Sequence, residues 1–591
     1  MKNYKLVSQI LFNKTKKFFM FNQFDKKQAK NLTTKVVLLL LTMLSFLVAI
    51  WKPDLYHDGF TFYSATALQS GLVAGRDYYE MYGVISSFVE SILLALFYNN
   101  LIVIRAFGVF LNLLISRQLY VIGRVWLSNR YATLVSVLWL LMNPVWTSLL
   151  RDNLTTAQTW PNQYGILLSC IVLKLIVTQA KITTPSLMFI SASIALLPFI
   201  RIQFFAHSFI FLVLLVFFKK ISNYVIFLFS ICIMFFLIMI VYFENIPNVF
   251  TYFSNMLESQ DALRPTLYSG LPRYYLNYLE ISLKVSLFSL LMLLFLLAFS
   301  KLLIKSLAFS GLKISAPLMI FVMTATSYFI LMLGTYHESN NQFAKGALTW
   351  FSIVYPKIPH LILYAGFVTS IFVGCLLFVT NKRGRQNIIF VTGISWANAG
   401  LLYDIPDVGR FWSSGGLFIL IMFIVISKAM GFFKGEIREQ IGLSIKSLLS
   451  IVVCSSILSI ILLLSEISNY HVRLSDDSFR WMVTSVDQDQ EIATLTLFTE
   501  RLKILVDTYG DNADIYCHIG FAHISDGRIL GNSPFWQKYQ QNQFKVESLI
   551  ESESLLLGAC DLSNNEKDKI LDLFGEQAEF FSDYVIIDKR K

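Results

Sequence analysis

The chain has 591 residues, of which 55% are hydrophobic and only 15% are charged, and its mean hydropathy is +0.59. Soluble domains carry about 25% charged residues, so this composition excludes an ordinary water-soluble enzyme. The net charge of +11 is unevenly spread, because residues 467–591 hold 12 Lys and Arg against 21 Asp and Glu. A basic apolar part followed by an acidic tail argues against nucleic acid as a partner and favours basic loops on the cytoplasmic side of a membrane.

The apolar runs recur along most of the chain. Residues 1–35 are polar and lysine-rich with no small-residue cleavage site after them, which predicts a cytoplasmic segment and not a cleavable signal. A helix needs roughly 17–25 residues to cross about 30 Å of hydrocarbon. The candidate runs lie near 36–51, 101–123, 131–149, 163–179, 185–200, 204–218, 223–243, 278–304, 314–335, 361–380, 387–403, 414–431 and 447–466. We therefore predict an α-helical polytopic membrane protein with about thirteen transmembrane helices over 36–466, and a small C-terminal α/β domain over 467–591. Within that domain we predict amphipathic helical stretches such as 488–506 and 565–581.

A shorter apolar run, 84–98, contains Glu90 and decides the orientation of the rest. If it does not cross, the basic clusters of the later loops, such as Lys382–Arg383–Arg385, all fall on the side of the N-terminus. If it crosses, every one of these basic clusters falls on the side opposite the N-terminus. The positive-inside rule therefore predicts an interfacial or re-entrant 84–98 helix. The protein is then a multi-pass protein of the bacterial inner membrane, with a cytoplasmic N-terminus and residues 467–591 outside the cytoplasm.

The first external loop, 52–100, is rich in charged and aromatic side chains. Asp58 follows the first apolar run by about seven residues, at the depth of a membrane-embedded substrate's headgroup. An acceptor hydroxyl is a poor nucleophile until a base takes its proton, and one carboxylate can do this. The alternative is that Asp58 caps a short amphipathic helix over 60–72. We assign further substrate contacts to His57, Arg76, Asp77 and Glu80.

Asp58 directly after the first span, the small-residue helix and the stretch Gly75–Gly83 (GRDYYEMYG) together resemble the C-type glycosyltransferases. That superfamily includes protein O-mannosyltransferases and lipid-A aminoarabinose transferases. The resemblance covers about residues 36–220. It implies a polyprenyl-phosphate-linked sugar as donor, ten or more spans, and a catalytic carboxylate at Asp58. The family commonly has an acidic pair, whereas the neighbours here are His57 and Gly59.

The second external loop supplies a second carboxylate, Asp152, which matches a carboxylate of related enzymes. Two carboxylates from separate loops could share the acceptor hydroxyl or a divalent metal ion, although no certain cofactor follows from the sequence. Arg151 is assigned to the substrate, or it forms only a surface ion pair with Asp152. Asn162 and Gln163 end the loop and are also assigned to the substrate.

Arg201 and Gln203 lie between two apolar runs, where an arginine is costly and tends to be functional. A guanidinium suits bidentate phosphate binding, and the leaving group of the implied reaction is a polyprenyl phosphate. The alternative is an arginine that extends to lipid headgroups. A later loop adds His337 and Glu338 as candidate sugar contacts, and an exposed polar loop explains this pair equally well.

Cysteines and nucleotide-binding or catalytic motifs contribute little to the prediction of function. Cys517 and Cys560 share the C-terminal domain and can form a disulfide if that domain lies in an oxidising compartment. Neither CxxC nor a Walker, GxSxG, HExxH or Rossmann motif occurs.

The function that fits these features is transfer of a sugar from a polyprenyl-phosphate carrier to an extracytoplasmic glycan, lipid or protein, in contact with membrane lipids. One alternative is a flippase or transporter of polyprenyl-linked glycans. Another is an O-antigen-type polymerase or ligase, which would use similar carboxylates and arginines.

The orientation can be tested directly. A reporter that is active only in the cytoplasm, fused after Lys591, should stay silent because an odd number of spans separates the two termini. The same reporter fused after residue 35 is the positive control. A signal from the C-terminal fusion would contradict the span count and all the loop assignments together.

Overall fold

The structure is a computed structural model of the chain. It describes most of residues 26–263, short helical and strand segments between 389 and 516, and most of 546–590. Within the first region the gaps lie at 52–63, 77, 79, 81–82, 99, 151–159, 180–181 and 219–220. Helices and strands are numbered among the described residues.

Helices dominate residues 26–263. They are α1 (Lys26–Ala49), α2 (Val84–Leu96), α3 (Leu101–Gly123), α4 (Asn129–Leu150), α5 (Trp160–Thr178), α6 (Thr184–Ile200), α7 (Phe205–Phe217), α8 (Tyr224–Ile238) and α9 (Ile246–Leu263). A 3-10 turn, Ile202–Phe204, joins α6 to α7, and a π-helical segment, Met239–Phe243, extends α8. The apolar runs between 101 and 243 are thus helical, and they begin and end close to the predicted residues.

Two helical segments of the described region, Leu101–Gly123 and Tyr224–Phe243, are long and apolar enough to cross a membrane. Shorter apolar helices accompany them at Val36–Ala49, Val84–Leu96, Asn162–Thr178, Thr184–Ile200 and Phe205–Phe217. The runs predicted beyond residue 263 lie mostly outside the described residues. The count of thirteen spans and their orientation therefore remain predictions.

Helix α2 has 13 residues and rises about 20 Å at 1.5 Å per residue. Helix α7, at a predicted span, has the same length, so the interfacial position of α2 stays a prediction. Its buried face is polar and includes Ser86, Ser87 and Glu90, while Ile92 and Leu96 are exposed. Glu90 is therefore turned into the protein.

Helix α3 is the centre of the helical part and packs against α1, α2, α4 and α5. Its contact with α4 contains paired serines: the Ser116 hydroxyl donates to the Ser136 carbonyl at 3.1 Å, and the Ser136 hydroxyl donates to the Ser116 carbonyl at 3.0 Å. The indole of Trp139 on α4 donates to the Asn112 carbonyl. Small residues allow close approach, and such hydrogen bonds between helices contribute about 0.6 kcal/mol each.

The C-terminal residues form strands. A short antiparallel pair joins β1 (Val472–Arg473) to β2 (Val483–Thr484). A second sheet has the order β3-β4-β6-β5, and its strands are β3 (Ala513–Tyr516), β4 (Leu556–Ala559), β5 (Ala578–Phe581) and β6 (Tyr584–Asp588). Only β3 and β4 run parallel, and the connection between them contains a short helix, α10 (Val546–Glu551). Parallel neighbours need such a crossover.

The helix predicted over 565–581 is shorter than expected. Helix α11 spans Asn564–Phe574 and begins at Ser563, whose backbone N–H donates to the Glu566 carboxylate at 2.8 Å. It ends because Gly575 takes a φ of +52°, outside the right-handed helical region. Residues 578–581 then form edge strand β5 against β6. The predicted amphipathic segment 565–581 is therefore a helix in its first part and a β-strand in its last four residues.

Close packing of α5 against the 3-10 turn depends on Gly165. A Cβ at this position would lie 2.2 Å from the ring of the buried Phe204. Gly165→Ala should therefore lower stability by about 1–3 kcal/mol, as overpacking does, and lower the midpoint of thermal unfolding in detergent. In a Phe204→Leu background the ring atoms are missing, so adding Gly165→Ala should cost little more. Equal costs of Gly165→Ala in both backgrounds would contradict this packing.

Candidate functional site

The segment that enters α2 folds back on α9 and ends in a tight turn. The Gly75 N–H donates to the Tyr78 carbonyl at 3.1 Å, and Gly75 has a φ of +80°. A Cβ here would lie 2.6 Å from the Asn248 carbonyl oxygen, so the position requires glycine. Phe88 of α2 makes an edge-on contact with Tyr242 on the same side. The turn is therefore held against the junction of α8 and α9.

Arg76, at the tip of this turn, forms an ion pair with Glu244. The two side chains are 47% and 53% exposed, so water screens the attraction and its contribution to stability is small. Glu244 follows the π-helical segment directly and has a φ of +59°, and π-helical turns are frequent at functional sites. The structure thus assigns Arg76 a protein partner that the sequence analysis did not identify.

Glu80 is buried and organises the entry to α2. It is 2% exposed and accepts a hydrogen bond from the Ser87 hydroxyl at 2.7 Å. The Gly83 N–H donates to its other oxygen at 3.4 Å. Gly83 has a φ of +140°, and a Cβ there would lie 2.2 Å from the Ile200 carbonyl oxygen. Glu80 therefore helps to hold the turn in direct backbone contact with the end of α6.

Arg201 lies at that same end of α6. It is only 5% exposed, and its Nη1 donates to Asn162 Oδ1 at 2.7 Å. Asn162 and the adjacent Gln163, in the first turn of α5, are also buried. The guanidinium is thus turned inward onto α5, which disfavours the alternative of an arginine extended to lipid headgroups. Three of the predicted substrate residues, Asn162, Gln163 and Arg201, are brought together here.

A second polar pair lies deeper between α5 and α7. The Ser169 hydroxyl lies 2.8 Å from Nδ1 of His207, and His207 is fully buried. The Phe204 ring packs edge-on against the His207 ring, with 4.8 Å between centroids. Ser169 follows Asn162 by seven residues, or two helical turns, and so shares its face of α5. A polar residue within an apolar run was the signal that could have identified this pair.

Several candidates fall outside the described residues. They are His57, Asp58, Asp77, Arg151, Asp152, His337 and Glu338, together with the side chain of Gln203 and the pair Cys517 and Cys560. Their assignments remain predictions.

The described residues contain no group of three or more His, Cys, Asp or Glu side chains that could hold a metal ion together. A divalent ion would have to involve carboxylates such as Asp58 and Asp152, which are not described. No chemical step is therefore assigned to a metal.

The fold is similar to that of an archaeal oligosaccharyltransferase of known structure, and two further solved structures match with lower TM-scores. The apo oligosaccharyltransferase of Archaeoglobus fulgidus matches with a TM-score of 0.50 and 12% identity, over 91% of this chain and 70% of that one. Archaeal oligosaccharyltransferase AglB from the same organism, in complex with an inhibitory peptide and a dolichol-phosphate, matches with a TM-score of 0.49 and 12% identity over 90% and 70%. ArnT from Cupriavidus metallidurans matches with a TM-score of 0.45 and 9% identity over 95% and 98%.

The comparisons by sequence find no matching family model and no matching curated protein. The first structural similarity shows that this chain shares the fold of the Archaeoglobus fulgidus oligosaccharyltransferase, which agrees with the resemblance inferred from the sequence. At 12% identity it establishes the fold, and the activity has to be argued from the residues.

The Arg201–Asn162 contact can be tested by substitution. Arg201→Lys keeps the charge but loses the planar fork, so it should weaken binding of a radiolabelled polyprenyl-phosphate sugar. Loss of one charge-assisted hydrogen bond costs about 1.5–3 kcal/mol, or roughly 10- to 100-fold in affinity. Asn162→Leu should weaken binding too, because the guanidinium loses the amide that holds it.

Arg124→Lys is the matched control, since Arg124 is exposed at the far end of α3. Unchanged donor affinity in both Arg201→Lys and Arg201→Ala would leave Arg201 with a structural role only.

Proposed function

We propose that this chain is an integral-membrane glycosyltransferase that moves a sugar from a polyprenyl-phosphate carrier to an extracytoplasmic glycan, lipid or protein. The observation that carries the proposal is the buried Arg201, held by Asn162 where the turn before α2 meets the end of α6. An arginine between two apolar runs tends to be functional, and its planar guanidinium suits bidentate binding of a phosphate. The C-type glycosyltransferase fold agrees with this reaction.

The proposed reaction joins an acceptor hydroxyl to the anomeric carbon of the sugar. The new bond forms between the acceptor oxygen and that carbon, and the bond from the carbon to the carrier's phosphate oxygen breaks. The electron pair of the broken bond stays with the phosphate, which leaves with additional negative charge. A guanidinium fixed in a site of low dielectric stabilises that charge, and such stabilisation is often the largest single contribution to catalysis.

The proton of the acceptor hydroxyl must go to a base, and we propose Asp58 for this role, or for orienting the acceptor. Helix α1 ends at Ala49, and Trp51 just beyond it is buried. Asp58 follows Trp51 by seven residues and so belongs to the loop that leaves α1. Asp152, in the loop that leads to Asn162, is the proposed second carboxylate.

The proposed topology puts these groups on one side of the membrane. Residues 1–35 are cytoplasmic, 36–466 form the transmembrane module, and 467–591 form an extracytoplasmic domain that holds or selects the acceptor. The carrier phosphate and the first loop then lie at the same depth. The acceptor reaches them from outside the cytoplasm.

A transporter of lipid-linked glycans would place charged side chains along a path through the membrane. Arg105 and His207 are buried within helices. Their hydrogen bonds, however, join helices to one another: Arg105 contacts the Trp51 carbonyl, and His207 contacts the Ser169 hydroxyl. Among the described residues these contacts link the two side chains to neighbouring segments, as structural contacts do, and this favours the enzyme proposal.

Asp58→Asn tests the proposed base. The amide keeps the size and the ability to cap a helix but cannot take a proton, so transfer from a radiolabelled donor should slow by about 10²–10⁴. Protein abundance and donor binding should remain normal.

Asp152→Asn is assayed in parallel. Wild-type transfer by Asp58→Asn, together with loss of transfer by Asp152→Asn, would move the base to the second loop. Full transfer activity in both variants would refute the assignment of the base to either carboxylate.

A further inference from the structure

Three exposed arginines lie at one end of the hairpin that α3 and α4 form. They are Arg117 near the end of α3, Arg124 directly after it, and Arg130 in the first turn of α4. Arg117 and Arg124 are seven residues apart, or two helical turns, and so lie on the same face of α3. We call these three residues the basic patch.

The packing of α3 against α4 sets the level of Arg130 along the helix axis. Ser136 of α4 faces Ser116 of α3, because each hydroxyl donates to the carbonyl of the other residue. The two helices are antiparallel, so Arg130, six residues before Ser136, lies level with Ile122, six residues after Ser116. At 1.5 Å per residue, the backbone positions of the basic patch therefore fall within a band about 10 Å deep.

The surface around the basic patch changes from apolar to polar, as the surface of a membrane protein does at the headgroups. Phe110, on the same face of α3 as Arg117, is 48% exposed. Val125, beside the patch, is 40% exposed, and Trp126 and Tyr131 are half-buried. Aromatic and basic side chains are enriched at this boundary, and an arginine stem can lie in hydrocarbon while its guanidinium reaches the headgroups. The basic patch thus has the surroundings of a group at headgroup depth.

The chain itself supplies this region with little negative charge. Between Glu90 and Glu244 the sequence contains a single carboxylate, Asp152, which follows the last residue of α4, whereas Arg130 is in its first turn. Among the described residues, no side-chain hydrogen bond or ion pair involves the guanidinium groups of the basic patch. Their three positive charges are therefore open to an anion from outside the chain.

We propose that the basic patch binds the headgroups of anionic phospholipids and anchors this end of the α3–α4 hairpin at the membrane surface. Phosphodiesters at the surface of a bilayer lie at one depth, as the three arginines do, and a guanidinium can bind two phosphate oxygens at once. Each basic residue near an anionic membrane surface contributes roughly five-fold to binding. This interaction does not depend on the proposed transfer reaction, because it requires only that the chain lies in a membrane.

The proposal is tested with the full-length protein in detergent, titrated with phosphatidylglycerol or with zwitterionic phosphatidylcholine. A ligand that binds only the folded state raises the midpoint of thermal unfolding, so the titration yields an apparent affinity for each lipid. Wild type should prefer phosphatidylglycerol, and the preference should weaken at high salt, which screens exposed charges. The triple variant Arg117→Gln, Arg124→Gln, Arg130→Gln should lose this preference by on the order of 100-fold. The corresponding triple lysine variant keeps the charges and should retain most of it.

A charge-matched control separates the basic patch from the net charge of the protein. The triple variant Lys567→Gln, Lys569→Gln, Arg590→Gln removes the same number of positive charges from the C-terminal residues and should keep the wild-type preference. An equal loss in this control would overturn the proposal, and so would an unchanged preference in the arginine-to-glutamine variant.

Soluble glycerol 3-phosphate, added as a competitor, separates a lipid surface from a site for free phosphate. It should not displace phosphatidylglycerol at millimolar concentration, and displacement would overturn the assignment to lipid. If the triple glutamine variant fails to accumulate, the three single glutamine variants replace it. Each should then lose roughly five-fold in preference, and no loss in any of them would overturn the proposal.

Discussion

The constraint on which the helical part depends is that buried polar groups must find partners within the protein, because hydrocarbon offers none. Serines 116 and 136 satisfy one another's carbonyl groups across α3 and α4. The Ser169–His207 contact joins α5 to α7. Each such contact is worth little energetically, yet each fixes the relative rotation of two apolar helices that could otherwise pack in several registers.

The two buried arginines follow the same constraint in different ways. Arg105 binds backbone carbonyls at the end of a helix, so its charge is used to hold the chain. Arg201 is held by a side-chain amide at the end of α6, next to the turn that Glu80 organises. Arg105 is buried between α3 and the end of α1, whereas Arg201 lies where the turn before α2 meets the end of α6. This difference in position distinguishes the proposed phosphate ligand from the arginine that binds the end of α1.

Close backbone approach is the second requirement of the site. Gly75 meets the Asn248 carbonyl, and Gly83 meets the Ile200 carbonyl. At both positions φ is positive, and a Cβ would clash with a carbonyl oxygen. The stretch from Gly75 to Gly83 is therefore a connection between α6 and the α8–α9 junction as well as part of a loop. Two of its charged residues take part in this connection: Arg76 forms an ion pair with Glu244, and Glu80 is buried beneath the turn.

Hydrophobic periodicity and length alone determined that the chain is a helical membrane protein and where the helices between 101 and 243 lie, since an apolar run can satisfy its backbone only as a helix in hydrocarbon. The sequence also identified Arg201, Asn162 and Gln163 as candidates, because polar residues at the ends of apolar runs are conspicuous. It did not reveal that they meet, since α5 and α6 come together only in the packed structure.

Arg105 and His207 were missed because single polar residues hardly change the hydropathy of a run. The inward direction of Glu90 and the division of 565–581 between helix and strand were likewise decided by tertiary packing, which selects one face or one pairing among those that the local pattern permits.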